Sequence, residues 1–236
     1  MTRVDLHVHT ALSACSENLM SPRSLIERAV ERGLTMVALT DHNATANLAT
    51  ALAVAEEFSQ LVVLPGMELT TREEVHLLAL FDDLDPLLDL QQMVDAALPE
   101  LENNPEFFGY QLVFDTADEI VDVDERMRQL GCDLSLDAAV HAVHERGGFA
   151  VPAHVLRKKY SLKSQLGFID PEAGFDALEV SWRDWIRGKH RAGDRMDGYA
   201  LVTGSDAHFL EDVGRCALEV GVDVSTLSEL LDALRT

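Results

Sequence analysis

Cysteine is scarce in this chain of 236 residues. The three cysteines, Cys15, Cys132 and Cys216, lie far apart and form no Cys-x-x-Cys pair. This pattern fits neither a disulfide framework nor a thiolate zinc site. A metal site in this chain would therefore be built from nitrogen and oxygen ligands.

Long apolar runs are also missing. No run is long enough to span a bilayer, and Asp5, His7 and His9 occupy positions that a signal peptide would need to be apolar. We therefore expect a cytoplasmic protein with no membrane partner. The length and the apolar fraction of 47% suit one domain with a substantial core.

Positive charge is the third deficit. Nineteen Lys and Arg residues against 41 Asp and Glu give a formal net charge of −22. A surface this acidic repels polyanions, so long nucleic acid is not expected as a passive partner. Three of the few lysines, Lys158, Lys159 and Lys163, lie beside Arg157. This basic stretch is either a solvated loop or an anion-binding site.

Histidine, by contrast, is placed in a pattern. Val4–Leu6 is typical of a short buried strand, and His7-Val8-His9 follows it. Side chains alternate along a strand, so His7 and His9 point the same way, about 7 Å apart. This spacing suits two imidazoles that bind one metal ion.

The first 70 residues alternate between strands and helices. Ser21 and Pro22 predict a helix start and Gly33 its end. Strands are predicted over residues 4–6, 35–40, 61–65 and 75–81, with further helices over 44–58 and 87–98. This order is typical of βαβ units and a parallel sheet.

The pattern weakens in the middle of the chain and then returns. Residues 103–115 fit no regular unit, and we interpret the region around 99–124 as an insertion or lid over the barrel mouth. Helices are predicted over residues 117–130 and 136–145. Strands follow over residues 149–153, 177–180, 200–204 and 217–220, with a final helix over 226–234. The chain is predicted to be one domain, residues 1–236, of about seven strand–helix units.

Polar groups follow the ends of the predicted strands. They are His7 and His9, Asp41 and His42, Glu68, His154, and Asp206 and His208. In an α/β barrel, functional residues collect at the C-terminal ends of the strands. Carboxylates and imidazoles delivered there by several strands favour a multinuclear metal site.

Each of these residues also has a structural interpretation. A single His at a strand end is often a packing residue, and Asp41 could cap the next helix, so we expect Asp41 to support a ligand rather than to bind metal. His141 and His144 lie within a helix and are interpreted as surface or packing residues. Cys15 could reach a metal as a thiolate, but a polar loop is an adequate explanation, and we favour it over metal binding. Two paired motifs near opposite ends of the chain favour the metal interpretation.

Five motifs, in this order, resemble the PHP (polymerase and histidinol phosphatase) superfamily. They are Asp-Leu-His-Val-His-Thr, Ala-Leu-Thr-Asp-His-Asn, Gly-Met-Glu-Leu-Thr with Glu-Val-His-Leu-Leu-Ala, Pro-Ala-His, and Thr-Gly-Ser-Asp-Ala-His. The resemblance runs from residue 5 to about residue 210. It implies a distorted (β/α)7 TIM-like barrel and a trinuclear metal site that hydrolyses phosphate esters.

The resemblance also implies the ligands. They are His7, His9, Glu68 and Asp206 for one cation, His42 and His208 for a second, and His76 and His154, with Glu68 bridging, for a third. Glu17 stands where many members carry an aspartate, with a side chain one methylene longer. Two or three divalent cations are implied, and manganese, zinc and iron all suit these ligands.

The chemistry implied is attack of a metal-activated water on phosphorus. Arg157, Lys158, Lys159 and Arg183 are candidates to bind the phosphate. His208 or His154 could protonate the leaving group if not engaged as ligands.

Several functions use such a site. The first is hydrolysis of a small phosphate monoester. The second is a 3′-5′ phosphodiesterase or exonuclease activity on short oligonucleotides or nucleotide bisphosphates, in which Phe107, Phe108, Tyr110 or Trp182 could stack a base. The third is a non-catalytic metal-binding regulatory module, which the near-complete ligand set disfavours. A metal-dependent amidohydrolase is disfavoured because no lysine lies at a strand end.

Overall fold

The strands of the computed structural model, which describes residues 1–235, form three sheets. The strands are β1 (Thr2–Val8), β2 (Met36–Leu39), β3 (Val62–Thr70), β4 (His76–Leu80), β5 (Leu112–Phe114), β6 (Ile120–Val123), β7 (Phe149–Pro152), β8 (Leu178–Glu179), β9 (Arg195–Met196), β10 (Tyr199–Val202) and β11 (Leu218–Val220). The helices are α1 (Pro22–Glu31), α2 (Leu48–Ala55), α3 (Leu84–Ala97), α4 (Pro105–Phe108), α5 (Leu136–Glu145), α6 (Leu162–Gln165), α7 (Trp182–Ile186) and α8 (Leu227–Arg235). None of these helices is both long and apolar enough to cross a membrane.

The largest sheet has the strand order β11-β1-β2-β3-β4-β7. Strands β1, β2 and β3 are parallel, which confirms the βαβ units predicted for the first 70 residues. Strand β4 runs antiparallel to both β3 and β7, and β11 runs antiparallel to β1. The other sheets are β8-β10-β9 and the β5-β6 hairpin. The result is a mixed α/β fold with a curled sheet.

Backbone hydrogen bonds join the two larger sheets on both sides. Val155 N donates to Glu179 O at 2.9 Å, which links the end of β7 to β8. His9 N donates to Ala207 O at 3.0 Å, which links the end of β1 to the loop after β10. These bonds bring the ends of strands that are distant in sequence to one rim.

The sheet is apolar on both faces. Along β2, Met36 and Ala38 belong to one buried cluster, whereas Val37 and Leu39 belong to the other. This alternation is what a strand covered on both sides requires. The leucines of α8 complete the first cluster, where Leu227, Leu230, Leu231 and Leu234 pack. Most of the buried polar residues therefore lie at the edge of the sheet where β1, β2 and β3 end, which we call the rim.

The helix predicted over residues 117–130 is wrong. Residues 112–123 form the β5-β6 hairpin instead. The Asp115 side chain accepts hydrogen bonds from Ala117 N and Glu119 N, and Asp118 has φ +69°, so the chain turns here. The β-branched run Ile120–Val121 then favours a strand.

Strand β3 is longer than predicted. Its expected end at Pro65 is passed because β4 pairs with it over Gly66 to Thr70. Glu68 therefore lies within a strand and not in the loop after one. The proline is tolerated next to β2, where it pairs with Leu39.

Gly148 marks a close approach between the turn that follows α5 and Phe81, the residue after β4. A Cβ atom at this position would lie 2.4 Å from the ring of Phe81, which is buried. We expect Gly148→Ala to lower the free energy of unfolding by about 1–3 kcal/mol, because an overpacked core must shift. Denaturant unfolding followed by circular dichroism measures this. Gly221→Ala is the control, since its Cβ would meet nothing within 4 Å. Equal stability of the two variants would contradict the packing argument.

Candidate metal centre

Six strands deliver the residues predicted for the site to one rim. His7 lies near the end of β1 and His9 just beyond it, and Asp41-His42 follows β2. The others are Glu68 on β3, His76 at the start of β4, His154 after β7, and Asp206 and His208 after β10. Because β4 runs antiparallel to β3, its first residue, and not its last, reaches this rim.

Together these side chains form one cluster, and the carboxylate of Glu68 lies at its centre. It is buried, and nitrogen atoms of five histidines lie within 3.4 Å of its oxygens. The distances are 2.7 Å to His76 Nδ1, 3.1 Å to His42 Nδ1, 3.2 Å to His154 Nε2, 3.3 Å to His9 Nε2 and 3.4 Å to His7 Nε2. One carboxylate therefore connects five imidazoles from four separate segments of the chain.

Asp206 is a second carboxylate that contacts several histidines of the cluster. Its Oδ1 lies 3.6 Å from His7 Nε2, from His9 Nε2 and from His208 Nδ1. The Nε2 atoms of His7 and His9 are themselves only 3.1 Å apart. Ring nitrogens and carboxylate oxygens that converge in this way form a pocket of negative and lone-pair density, which suits a cation.

The possible donor atoms lie close enough to one another to bind metal ions. Among the described residues, three groups have ligand atoms within 4.8 Å of one another: His7 with His9 and Glu68, His42 with Glu68 and His76, and His9 with His42 and His208. In addition, Nδ1 of His154 is buried and has no hydrogen-bond partner, and Nδ1 of His42, although 3.1 Å from Glu68 Oε2, is buried and not aligned for a hydrogen bond. Orphaned buried nitrogens are uncommon in native proteins, and a bound metal would satisfy such atoms.

Burial and neighbouring charged groups shift the pKa values of the residues in the cluster. Burial disfavours the charged form of Glu68, but His76, His7 and His42 outweigh this and hold the pKa of its carboxyl well below the ordinary value. For His7, burial favours the neutral form, but Glu179, Glu68 and Asp206 outweigh it and raise its pKa well above the ordinary value. Glu68 is therefore an anion near neutral pH.

Three other imidazoles are neutral near pH 7. Burial lowers the pKa of His42 well below its ordinary value, and burial also lowers the pKa of His76. Burial and the nearby His9 lower the pKa of His208 to about 4. A neutral imidazole offers the lone pair that a metal ligand needs.

Asp41 supports the cluster from behind. Its carboxylate accepts hydrogen bonds from Thr10 N, Thr10 Oγ1 and Ser13 Oγ at 2.6–2.8 Å. Ser13 Oγ in turn lies 3.1 Å from Nδ1 of His9 and accepts from His42 N at 3.2 Å. Asp41 is thereby tied to two histidines through one serine hydroxyl.

The backbone is strained at this rim. His154, Tyr160 and Asp206 have φ values of +32°, +54° and +50°, which non-glycine residues rarely adopt. Such conformations persist where surrounding contacts enforce them, and they concentrate at functional sites.

Two cavities open onto the cluster. The outer one is about 470 Å³ and is lined by metal-site residues such as His154 and Asp206, by Arg157 and Arg183, and by Trp182. The inner one is about 250 Å³ and reaches Glu68. Cys15 is exposed and lines both. A ligand in the outer cavity could therefore contact the cluster and two guanidinium groups together.

The other predicted residues differ in how near they lie to the cluster. The Glu17 carboxylate accepts a hydrogen bond from Leu210 N. Glu17, His154 and Asp206 all lie outside the three donor groups, but His154 contacts Glu68, and Asp206 contacts His7, His9 and His208. Arg157 reaches the rim, where its Nη1 lies 3.0 Å from Asp206 Oδ2. Lys158 and Lys159 are exposed on the same loop and line neither cavity.

Sequence reasoning missed two residues that touch the cluster and one that lies beside it. Glu179 lies 3.1 Å from His7 Nδ1, and Tyr160 stacks on His76 with ring centroids 4.7 Å apart. Arg215 donates to the carbonyl of Ser205. A charged residue in the apolar run Ala-Leu-Glu-Val was the available signal for Glu179, whereas nothing in the sequence marks Tyr160 or Arg215.

The fold and site together define a mixed α/β protein with a rim of His, Asp and Glu ligands suited to divalent cations. The PHP domain family model matches residues 5–135, more than half of the chain, and a PHP-associated model matches residues 196–236. The chain belongs to the PHP domain family.

Curated relatives of this chain are named as nucleases and phosphatases. The 5′-3′ exoribonuclease Rnm of Salmonella typhimurium is 37% identical over 34% of this chain, which spans 28% of that enzyme. A 3′,5′-nucleoside bisphosphate phosphatase of Chromobacterium violaceum is 36% identical over 37% of this chain and 31% of its own length. A 5′-3′ exoribonuclease of Haemophilus influenzae is 26% identical over 88% of this chain and 90% of its own length.

Solved structures share the fold. The lesion-specific endonuclease Q of Pyrococcus furiosus aligns with 99% of this chain and 56% of its own, with a TM-score of 0.67 and 19% identity. An amidohydrolase of Chromobacterium violaceum aligns with 98% of this chain and 96% of its own, with a TM-score of 0.60 and 23% identity.

We expect Glu68→Gln to lose most of its bound metal, because the amide removes the charge that five imidazoles surround. Metal content after manganese loading and desalting, measured by plasma mass spectrometry, tests this. The control is Glu57→Gln, whose parent carboxylate lies on the surface and pairs with Arg23. Glu68→Gln with the metal content of the unmodified protein would contradict a cation site around this carboxylate.

Proposed function

We propose that this protein is a metal-dependent phosphoesterase that hydrolyses a small phosphorylated substrate. The observation that carries the proposal is the buried Glu68 carboxylate with five histidine nitrogens within 3.4 Å. A rigid ring of nitrogen and oxygen donors next to an arginine-lined cavity is the arrangement that metal-assisted phosphoryl transfer needs.

The donor groups suggest two or three divalent cations. His7, His9, Glu68 and Asp206 would hold one cation, His42 and His208 a second, and His76 and His154, together with Glu68, a third. Manganese, zinc and iron all accept such ligands. We leave Glu17 out of the set, because its carboxylate is engaged by Leu210 N.

Bound divalent cations would supply a nucleophilic water near neutral pH and would neutralise charge on the phosphoryl oxygens. The residues of the chain determine how the substrate lies. Arg157 is half exposed beside Asp206, so its guanidinium can bind a phosphoryl oxygen at the rim. Arg183 lines the outer cavity about 5.1 Å from the Trp182 ring and would contact the same substrate farther out.

His208 is better suited to bind a metal ion than to act as a general acid. Its pKa of about 4 leaves the imidazole without a spare proton near pH 7, and its Nδ1 faces the Asp206 carbonyl oxygen at 3.0 Å. Nε2 of His208 is then the atom with a free lone pair. The role of proton donor that we considered for His208 is therefore not part of the proposal.

A nucleotide is the second candidate substrate class. Two of the relatives described above are named as an exoribonuclease and as a nucleoside bisphosphate phosphatase. In this chain, Trp182 and the exposed Phe209 line the outer cavity and could stack a base. The net charge of −22 favours a short nucleotide over a long polymer.

We also propose that strands β1, β2, β3, β4, β7, β8 and β10 close into a distorted (β/α)7 barrel within a single domain. The hydrogen bonds from Val155 N and His9 N support this closure. The region around 99–124 is proposed as an insertion. It contacts the first loop, where Leu112 N donates to Ala11 O. Its role as a lid stays a prediction, since the residues that line the two cavities lie elsewhere.

Phosphate release by manganese-loaded protein tests the proposed function. The substrates are histidinol phosphate, nucleoside monophosphates, nucleoside 3′,5′-bisphosphates and a 5′-phosphorylated dinucleotide, with EDTA-treated protein as the control. Turnover that requires metal is expected with one of these classes, and release of mononucleotide from the dinucleotide would favour the diesterase. Full turnover in EDTA would contradict the proposal.

We expect Arg157→Ala to raise KM for the preferred phosphate ester by about 10–100-fold, because a charge-assisted hydrogen bond is worth about 1.5–3 kcal/mol. Steady-state kinetics measures the change. Lys158→Ala is the matched comparison, since Lys158 is the next residue but does not line the cavity. Equal KM values for the two variants would remove Arg157 from the phosphate site.

A further inference from the structure

Glu179 is a buried carboxylate that the ligand set does not include. It lies in the short strand β8 and is 1% exposed. Its two oxygens each lie 3.1 Å from His7 Nδ1, and Oε2 also accepts a hydrogen bond from His154 N at 2.8 Å. A buried carboxylate is costly unless it is paired, so these contacts explain why Glu179 is tolerated in an apolar strand.

The contact with His7 determines how that ring is used. A carboxylate can only accept, so His7 Nδ1 must carry the proton that lies between the two groups. Nε2 of His7 is the other ring nitrogen, and it faces Glu68 Oε1 and Asp206 Oδ1 at 3.4 and 3.6 Å. Holding the proton on Nδ1 leaves the Nε2 lone pair directed at the cluster.

The contact with His154 acts through the backbone. His154 has φ +32°, a conformation that costs about 1–3 kcal/mol and must be enforced by its surroundings. The hydrogen bond from its N–H to Glu179 is one such contact. This conformation turns the His154 ring so that Nε2 lies 3.2 Å from Glu68 Oε1.

The chain makes room for Glu179 at a glycine. A Cβ on Gly204 would lie 2.9 Å from Glu179 Oε1 and 2.6 Å from His7 Cβ. Gly204 stands two residues before Asp206, so the segment that carries Asp206 approaches His7 and Glu179 closely. The segments at the ends of β1, β7 and β10 thus meet at one carboxylate.

We propose that Glu179 is a positioning residue that fixes the ring of His7 and the backbone of His154 in the geometry that binds metal. The inference rests on the proposed metal centre, since it assigns how two of its ligands are oriented. It joins the ligand group around His7 and Asp206 to the group around His76 and His154, through one residue outside the proposed ligand set.

The test replaces one carboxylate oxygen by an amide. In Glu179→Gln, one side-chain oxygen becomes an N–H₂ donor. Because both oxygens lie 3.1 Å from His7 Nδ1, this donor faces His7 Nδ1–H whichever oxygen it replaces, and two donors repel each other. We expect the Kd for zinc, measured by calorimetry, to rise about 10–100-fold, in the range found when partners of metal-ligating histidines are removed. The matched control is Glu73→Gln, whose parent carboxylate also accepts from a backbone amide, Leu136 N, but lies away from the cluster.

A second measurement needs no substitution. Nitrogen NMR of the histidine rings in the unmodified protein should find His7 protonated on Nδ1, both before and after zinc is added. An unprotonated Nδ1 on His7 would overturn the proposal, even if Glu179→Gln failed to fold. Zinc affinity of folded Glu179→Gln within twofold of the unmodified protein would also overturn it.

These outcomes are distinguishable from failure of the proposed function. If the unmodified protein binds zinc but releases no phosphate, the phosphoesterase is contradicted while the role of Glu179 is still tested by the zinc Kd. If the unmodified protein binds no zinc, the role of Glu179 in metal binding fails together with the metal centre. If the unmodified protein turns over substrate and Glu179→Gln binds zinc equally well, only the role of Glu179 fails.

Discussion

The buried carboxylate of Glu68 is the constraint on which the rest of the structure depends. An unpaired buried anion costs several kcal/mol, so a fold that contains one must surround it with compensating groups. Here the compensation comes from five histidines on four segments, from residue 7 to residue 154. The sheet must bring the ends of β1, β2, β7 and the start of β4 to one rim for these contacts to exist. Local strain is accepted at His154 and Asp206, where positive φ angles aim the side chains inward.

The supporting residues show how a polar cluster is held rigid inside an apolar barrel-like sheet. Asp41 accepts three hydrogen bonds and fixes Ser13, which contacts two histidines. Glu179 plays a corresponding part on the opposite side, at His7 and His154. Each carboxylate therefore has a distinct environment, although all are buried. Fixed surroundings of this kind are what metal sites use to orient their ligands.

Much of the site could be predicted from sequence because parallel strands obey a simple rule. His9, His42, His154 and Asp206 all follow apolar runs, and the structure brings them together as that rule requires. The rule does not predict His76, because His76 begins an antiparallel strand instead of following a strand. Only the family resemblance identified it. Glu179 and Tyr160 could not be found by spacing, because their roles depend on contacts between segments distant in sequence. The wrong helix over residues 117–130 has a local cause: polar and charged residues matched a helical composition, whereas Asp115 and the run Ile120–Val123 formed a hairpin.

Anomalous diffraction from crystals grown with manganese tests the central claim most directly. The account predicts a peak within coordination distance of a Glu68 oxygen, flanked by the Nε2 atoms of His7 and His9. Additional peaks are expected beside His42 with His208, or beside His76 with His154. A fully occupied manganese elsewhere in the protein, with none near Glu68, would contradict the account.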